Sequence, residues 1–365
     1  MKYAAITGWG KCLPPAVLTN ADLATFLDTD DEWIKSRTGM QERRISHVMV
    51  SDLGYVAAQR ALAAADKTAE DIELIVFGTT TPDQLCPNVA SRLQQLLGAH
   101  RAAAMDVNTA CTSFLYALST ATAMIKTGAV KSALVIGAEV ISPIMEWDNR
   151  NVAVLFGDGA AAVYLEASDE EEGLIDQQLG CYGDVRDILT VHGWGMKYAN
   201  QSVQMGNSHW QFEGQEIFKK AVVGMVSASN AVLERQGLSR DQVDLVVPHQ
   251  ANLRIIDAVA KRADLPADKV FVNVHRYGNM SAATVAVALV EAIEEGRVKP
   301  HNYVLLPAFG GGLSWCAHLI KWGERTEPLS SSSAELPPCD KTALELVQDI
   351  RRSKATPVTF DAMSI

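Results

Sequence analysis

Four short stretches of this 365-residue chain carry side chains that can do chemistry together. The first is centred on Cys111. An apolar run from Ala102 to Val107 suits a buried strand, and Asn108 and Thr109 then break it with residues that favour helix starts. From Thr112 onward, Phe114, Leu115, Ala117, Leu118, Ala121, Met124 and Ile125 leave almost no polar face, and Gly128 stops the helix after Thr127. A helix that is apolar all round is a buried one. A thiol at its start meets unpaired N–H groups and the positive end of the dipole, both of which favour a thiolate. The plain alternative is that Cys111 is a small buried hydrophobe with no further task.

The second stretch, Val246-Val-Pro-His-Gln-Ala-Asn252, puts His249 at the carboxyl end of a strand, where open α/β sheets hold ligands. A lone histidine there is commonly structural, but Gln250 and Asn252 make this loop polar and a helix follows directly. The third runs from His275 to Ala283 behind a strand at Val272 to Val274. It contains Gly278-Asn279, which taken alone is simply a turn. The fourth, Phe309-Gly-Gly-Gly312, lets backbone N–H groups approach a ligand closely, as an oxyanion site requires. Together they offer a nucleophile, a base or donor, a second donor and a glycine-lined anion site.

The elements that must position these groups alternate between strand-like and helix-like runs, the pattern of an α/β architecture. Strands are expected at residues 3–8, 72–78, 131–140 and 160–165, and helices at 31–38, 52–65 and 88–97. Asn20 reads as the cap of a further helix. The second half echoes the first. Asp241 to Val247 matches Asp71 to Phe77, and Asn302 to Ile320 repeats the pattern of Ser132 to Leu165, including an FGxG turn. An internal duplication is expected, with halves at 1–170 and 171–323. Residues 324–365 differ in kind: Ser330 to Ser333 and Pro337-Pro338 read as a flexible connector. A short amphipathic helix capped by Asp340 would follow, presenting Leu344, Val347 and Ile350 or Leu346 on one face and packing on the body or on a partner.

Composition narrows the class. The formal net charge of −11 argues against a general nucleic-acid or anionic-membrane binder. Six cysteines without a CxxC pair read as reduced thiols. The N-terminal stretch lacks the layout of a signal peptide, and no apolar run has the length of a membrane span. These features lead us to expect a soluble cytoplasmic protein.

With Asn20-Ala-Asp-Leu23, Asp31-Glu-Trp-Ile34, Arg37-Thr-Gly39, Cys111, Phe156-Gly-Asp-Gly159, His249-Gln-Ala-Asn252, Gly278-Asn279, Ser281-Ala-Ala283 and Phe309-Gly-Gly-Gly312 in this order, residues 3–322 resemble the β-ketoacyl-acyl-carrier-protein synthase III family of thiolase-fold condensing enzymes. The resemblance implies a thiolase-like α/β fold, two duplicated halves forming a layered α-β-α-β-α core. It also implies a Cys-His-Asn triad, Cys111, His249 and Asn279, with an oxyanion hole at the N–H groups of Cys111 and Gly311. The reaction implied is decarboxylative condensation of an acyl-CoA primer with malonyl-ACP or malonyl-CoA through an acyl-Cys intermediate, with no cofactor and no metal.

The same resemblance places Trp33, Arg37, Arg150, Phe218, Ala251 and Asn252 around CoA, and Cys86 and Phe114 at the acyl pocket. Arg254, Lys261 and Arg262 form a basic patch for the acyl carrier protein. A homodimer is implied, with strand 131–140 or its neighbour at the interface. Asn279 argues against chain-elongating relatives, which use a second histidine. The extra glutamate of hydroxymethylglutaryl-CoA synthases has no counterpart here, and Cys316 is a core residue rather than a thiolase's second cysteine.

Two departures matter. The family's Cys-x-Gly-Phe is Cys111-Thr-Ser-Phe114 here, so Ser113 adds bulk near the acyl site, and the tail extends past the family's usual end. Cys86, where acetyl-specific relatives carry a bulky residue, leaves room for a medium-length primer unless Leu85 or Met205 refills the space. An initiating enzyme of fatty-acid synthesis, a specialised acyltransferase or condensing enzyme of secondary metabolism, and a non-catalytic partner subunit all use this scaffold. The intact triad argues against the third.

Overall fold

The computed structural model describes residues 2–198 and 208–355. The strands of its large sheet are β1 (Tyr3–Cys12), β2 (Leu74–Gly78), β3 (Ala103–Val107), β4 (Ser132–Glu139), β5 (Gly159–Ser168), β6 (Gly173–Cys181), β7 (Leu245–Val246), β8 (Tyr303–Gly310) and β9 (Ser314–Lys321). The helices that matter to the site are α1 (Asp31–Thr38), α2 (Val50–Ala65), α3 (Val89–Leu97), α4 (Ser113–Lys126), α5 (Gly214–Gln236), α6 (Leu253–Arg262), α7 (Ala283–Glu294) and α8 (Ala343–Ala355).

Among the described residues, the nine strands run in the order β7-β8-β9-β6-β1-β5-β4-β2-β3. The centre of this order is a single parallel pairing of β1 with β6, Ala4 opposite Gly173. Outward from it, β1-β5-β4-β2-β3 on one side has the same succession as β6-β9-β8-β7 and the bridge at Val270 on the other. We infer an internal duplication from this symmetry, with the seam at the turn between β5 and β6.

Alternation along each strand builds the layers. In β2, Leu74 and Val76 face a core shared with α4 and α7, whereas Ile75 and Phe77 face α2 and α3. In β8, Val304 and Leu306 face the same central core, and Leu305 faces α5. The order of layers is therefore α-β-α-β-α. The central helices α4 and α7 are buried almost all round because a half-sheet covers each side. Leu115, Leu118, Val287 and Leu289 are fully or almost fully buried there, and each such side chain contributes about 1.5–3 kcal/mol by leaving water. Helix α1 starts and ends as expected, capped by Asp30 and stopped by Gly39 at φ 77°.

Several local expectations give way to long-range contacts. Asn20 does not cap its helix: Thr19 does, in a reciprocal pair with Asp22. The Asn20 amide instead donates to Asp31 and the Met40 carbonyl and accepts from the buried Arg43. The run 102–107 is not a buried interior strand. β3 is the edge of the sheet, paired with β2 alone, and Ala103 is exposed. Strand β4, which with its neighbour was the expected place of a dimer interface, is wholly buried between β2 and β5, and of the two ends of the large sheet it is β3 that lies on this side. Residues 272–274 form no strand: Val270 bridges to Val246, and a helical turn begins at Val274. The last helix is capped by Thr342 with Glu345 rather than by Asp340. Among the described residues, no helix is long and apolar enough to cross a membrane.

Candidate active site

Cys111 lies in the middle of a 3-10 turn, Ala110–Thr112, that carries the chain from β3 into α4. The turn is locked from inside. Thr109 N donates to the Ser113 hydroxyl, which donates in turn to the Ala110 carbonyl at 2.7 Å. The hydroxyl that departs from the family pattern is therefore engaged in the turn. Ala110 sits at φ 52°, a left-handed conformation that costs a residue with a Cβ about 1–2 kcal/mol.

Strand β8 delivers the glycine run to this turn. A Cβ on Gly310 would lie 2.7 Å from Cys111 N, so no side chain fits where the strand end meets the nucleophile. The N–H groups of Cys111 and Gly311, the pair expected to bind an oxyanion, both act to lower the pKa of the thiol. Burial nevertheless pushes the Cys111 thiol up to about 11, and the Ser281 hydroxyl and these N–H groups pull it back only in part. The pull of the helix start toward a thiolate is thus opposed by desolvation, which raises the thiol.

His249 follows the end of β7, its N–H donating to the Pro307 carbonyl of β8. It is buried, and burial lowers its pKa to about 3, which keeps the imidazole neutral. Its Nδ1 meets the Thr284 hydroxyl, which also reaches the Ser281 carbonyl at 2.8 Å. One hydroxyl proton is thus shared between two acceptors. When it turns to Nδ1, Nε2 carries the ring hydrogen and is a donor; when it turns to Ser281, Nε2 is an acceptor. Gln250, which made this loop look chemical, is structural. Its amide donates to Pro248 and Phe271 carbonyls and accepts from Asn273 and Val274.

Asn279 is held on both sides by the FGDG loop: its N–H donates to Leu155 O and its carbonyl accepts from Gly157 N. The side-chain oxygen accepts from Ser281 N at 2.8 Å, which leaves Nδ2 as the outward donor. The loop itself is anchored by Asp158, whose buried carboxylate accepts from Ser46, Ile141 and Ser142.

Three residues that sequence reasoning assigned no chemistry complete the arrangement. Ser281 touches Asn279 through its N–H, Thr284 through its carbonyl, and both Cys111 and Glu139 through its hydroxyl. Thr284 orients His249. Glu139, at the end of β4, accepts from Thr79, Thr80 N, Thr81 and Ser281. Burial raises its pKa against the pull of those donors, and its charge in turn pushes the Cys111 thiol up. Ser281 was within the quoted Ser-Ala-Ala motif; a glutamate ending a buried strand was the signal for Glu139.

The outlying residues fall on one face. Trp33 on α1 lies under two guanidinium groups, Arg37 at 4.5 Å and Arg150 at 4.8 Å from its ring centre. Asn252 caps α6 by accepting from Arg254 N and donates to Arg37 O, tying α6 to α1. Ala251 precedes it, half-buried. Between α5 and α6 a groove of about 660 Å³ is lined by Phe218, Lys219, Val222, Ala258, Lys261 and Arg262. Arg254, Lys261 and Arg262 are all exposed along α6. Phe114 is buried against Gly137 in the central core. Cys86 is exposed, so any part it takes in an acyl pocket depends on a second copy; Met205 lies outside the described residues. Cys316 is buried in the central core, facing away from nucleophilic use.

A half-buried cysteine at a strand-to-helix turn, two backbone donors, and a neutral histidine with an asparagine donor define a thiolase-fold condensing enzyme, an acyltransferase. Sequence profiles described as 3-oxoacyl-[acyl-carrier-protein] synthase III match residues 105–183, and the C-terminal profile of the same description matches residues 233–322. A β-ketoacyl-[acyl-carrier-protein] synthase III 2 of Vibrio cholerae serotype O1 is 55% identical over 94% of this chain and 95% of its own length. A β-ketoacyl-[acyl-carrier-protein] synthase III of Roseiflexus castenholzii is 45% identical over 88% of this chain and 98% of its own. The crystal structure of 3-oxoacyl-[acyl-carrier-protein] synthase III from Aquifex aeolicus VF5 superposes with a TM-score of 0.82 at 40% identity, covering 87% of this chain and all of that one. The chain belongs to the β-ketoacyl-acyl-carrier-protein synthase III family.

The Glu139 contact makes a signed prediction. A nearby negative charge penalises the thiolate, so Glu139→Gln should lower the Cys111 pKa. The midpoint of the pH–rate profile for iodoacetamide alkylation should move down by about one pH unit. A profile that stays put, or moves up, contradicts this electrostatic link.

Proposed function

We propose that this chain condenses an acyl-CoA primer with a malonyl thioester, using Cys111, His249 and Asn279 as its triad. The observation that supports this reading is the Ser281 turn, which holds the Asn279 side chain through its N–H and the His249 ring through Thr284, while its hydroxyl donates to Glu139, whose charge acts on the Cys111 thiol.

In the first half-reaction the Cys111 sulfur attacks the thioester carbonyl of acyl-CoA. Its proton leaves as attack proceeds and ends on the departing CoA sulfur. The carbonyl oxygen becomes an oxyanion facing the N–H groups of Cys111 and Gly311, and the C–S bond to CoA breaks, leaving acyl-Cys and CoA thiol. In the second, the carboxylate carbon of the malonyl group departs as CO₂. The electron pair forms an enolate whose oxygen accepts from His249 Nε2–H and Asn279 Nδ2–H. The enolate carbon attacks the acyl-Cys carbonyl, and the cysteine thiolate is expelled with release of the β-ketoacyl thioester. These steps call on the two thioester substrates and no cofactor.

For the CoA end, we propose that Trp33 and Arg150 flank the adenine and Arg37 lies near the phosphates. The pantetheine would run along Asn252 and Ala251, past Phe218. A flat aromatic with guanidinium neighbours suits a purine. The exposed cations of α6 suit an acidic carrier protein, despite the net charge of −11. A homodimer would join two copies through the exposed edge of β3, and the loop carrying Cys86 would then close the partner's acyl pocket. A cytoplasmic location fits this set of substrates.

Partial reactions separate the roles. Cys111→Ala should show no acyl adduct by intact mass. His249→Ala and Asn279→Ala should still acylate but release CO₂ from malonyl thioester about a hundredfold more slowly, the cost of one lost oxyanion donor at ~3 kcal/mol. Normal CO₂ release in both would remove the donor assignment. The dimer and primer readings are tested together. The protein should sediment as a dimer at micromolar concentration and prefer hexanoyl- or octanoyl-CoA to acetyl-CoA, with Cys86→Phe restoring acetyl. Sedimentation as a monomer, or a chain-length profile unmoved by Cys86→Phe, refutes the cross-subunit pocket.

A further inference from the structure

The tail beyond residue 323 takes no part in the chemistry above, yet it is bound along its length. Leu329 N donates to Ala64 O, Arg60 holds the Ala334 carbonyl and the Glu335 carboxylate, and His47 meets the Pro337 carbonyl. Helix α8 then buries Ala343 and Val347 in a cluster with Ile141, Met145 and Trp147. A match over 94% of this chain, as in the Vibrio cholerae relative, has to reach into this tail.

The polar end of α8 grips two segments, 26–28 and 145–150, that also meet each other directly. Arg351 lies 4.8 Å from the centre of the Phe26 ring and pairs with Asp148 at 2.6 Å, while Lys354 donates to the Met145 carbonyl at 2.8 Å. Phe26 and Trp147 meet edge to face. Two residues beyond Phe26, the Asp28 carbonyl accepts from Arg150; two residues beyond Asp148 is Arg150 itself, over Trp33. Arg150 therefore stands on two supports, and α8 ties them together.

We propose that α8 is a strap that positions Arg150, and through it Trp33, to receive the nucleotide end of acyl-CoA, with Arg351 and Lys354 as positioning residues. The inference rests on the reading of Trp33 and Arg150 as the adenine site. An exposed ion pair contributes little by itself, so the effect comes from removing both grips together. An Arg351→Ala/Lys354→Ala double variant leaves Ala343 and Val347 in place to hold α8.

The test compares butyryl-CoA with butyryl-N-acetylcysteamine, a thioester that lacks the nucleotide. The double variant should raise KM for butyryl-CoA by about five- to tenfold with kcat unchanged, the scale of a weakened cation–π contact. Its kcat/KM for butyryl-N-acetylcysteamine should equal that of the wild type. Trp33→Ala is the control. If Trp33→Ala raises KM for butyryl-CoA and the double variant does not, the strap is refuted and the adenine site stands. If neither variant distinguishes the two thioesters, both fall. Equal loss on both thioesters in the double variant also overturns the strap, since it would show α8 supporting the fold and not the nucleotide.

Discussion

The site depends on one residue holding a backbone conformation that it would not choose. Ser281 sits at φ 47°, and only in that left-handed turn can its N–H face the Asn279 side chain while its carbonyl faces Thr284. Its hydroxyl then falls between Cys111 and Glu139. Such strain costs about 1–3 kcal/mol and persists where surrounding contacts over-determine it. Here they do: Asn279 is fixed by the FGDG loop before the turn, and α7 begins directly after it. Ala110, at φ 52° beside the nucleophile, is the matching strain in the other half. Two strained turns, one beside the nucleophile and one after Asn279, thus frame the candidate site.

That meeting requires the backbones to come unusually close. Gly310 lies against the Cys111 backbone, Gly78 against Ser113, and Gly137 against Phe114 and the Ala282 carbonyl. A side chain at any of these would push the central helices away from the strand ends and separate the donors from the sulfur. The same tight enclosure explains the electrostatics. A desolvated thiol is held high and a desolvated imidazole stays neutral, so burial disfavours the charged form of both groups at rest. Charge that develops on substrate during reaction meets dipoles already in place.

How much of this could be read from the chain depended on the reach of each contact. Cys111, His249 and the glycine run stood out because each lies at or just after a strand end beside a residue type that local packing does not ask for, whereas Asn279, read alone as a turn, stood out only through the family resemblance. Helix α1, from its acidic start to Gly39, was legible because its caps are local. Asn20 misled because its partners are Asp31, Met40 and Arg43, none of which a local capping pattern reveals. The run 102–107 looked buried by composition, yet its place at the sheet edge is set by strand order, which no single strand encodes. Glu139 and Thr284 stayed hidden because their partners, Ser281 and His249, lie far along the chain or in another element. The tail was correctly read as an amphipathic helix, but which surface it covers was not visible.

The most direct test of this account asks whether backbone conformation at residue 281, rather than its hydroxyl, assembles the decarboxylation site. Glycine adopts φ near 47° freely and keeps the N–H and carbonyl; valine keeps them too but resists that conformation. CO₂ release from malonyl thioester should therefore survive in Ser281→Gly and fall about a hundredfold in a folded Ser281→Val, as Asn279 and Thr284 lose their common support. Equal decarboxylation rates in the two variants would contradict the account.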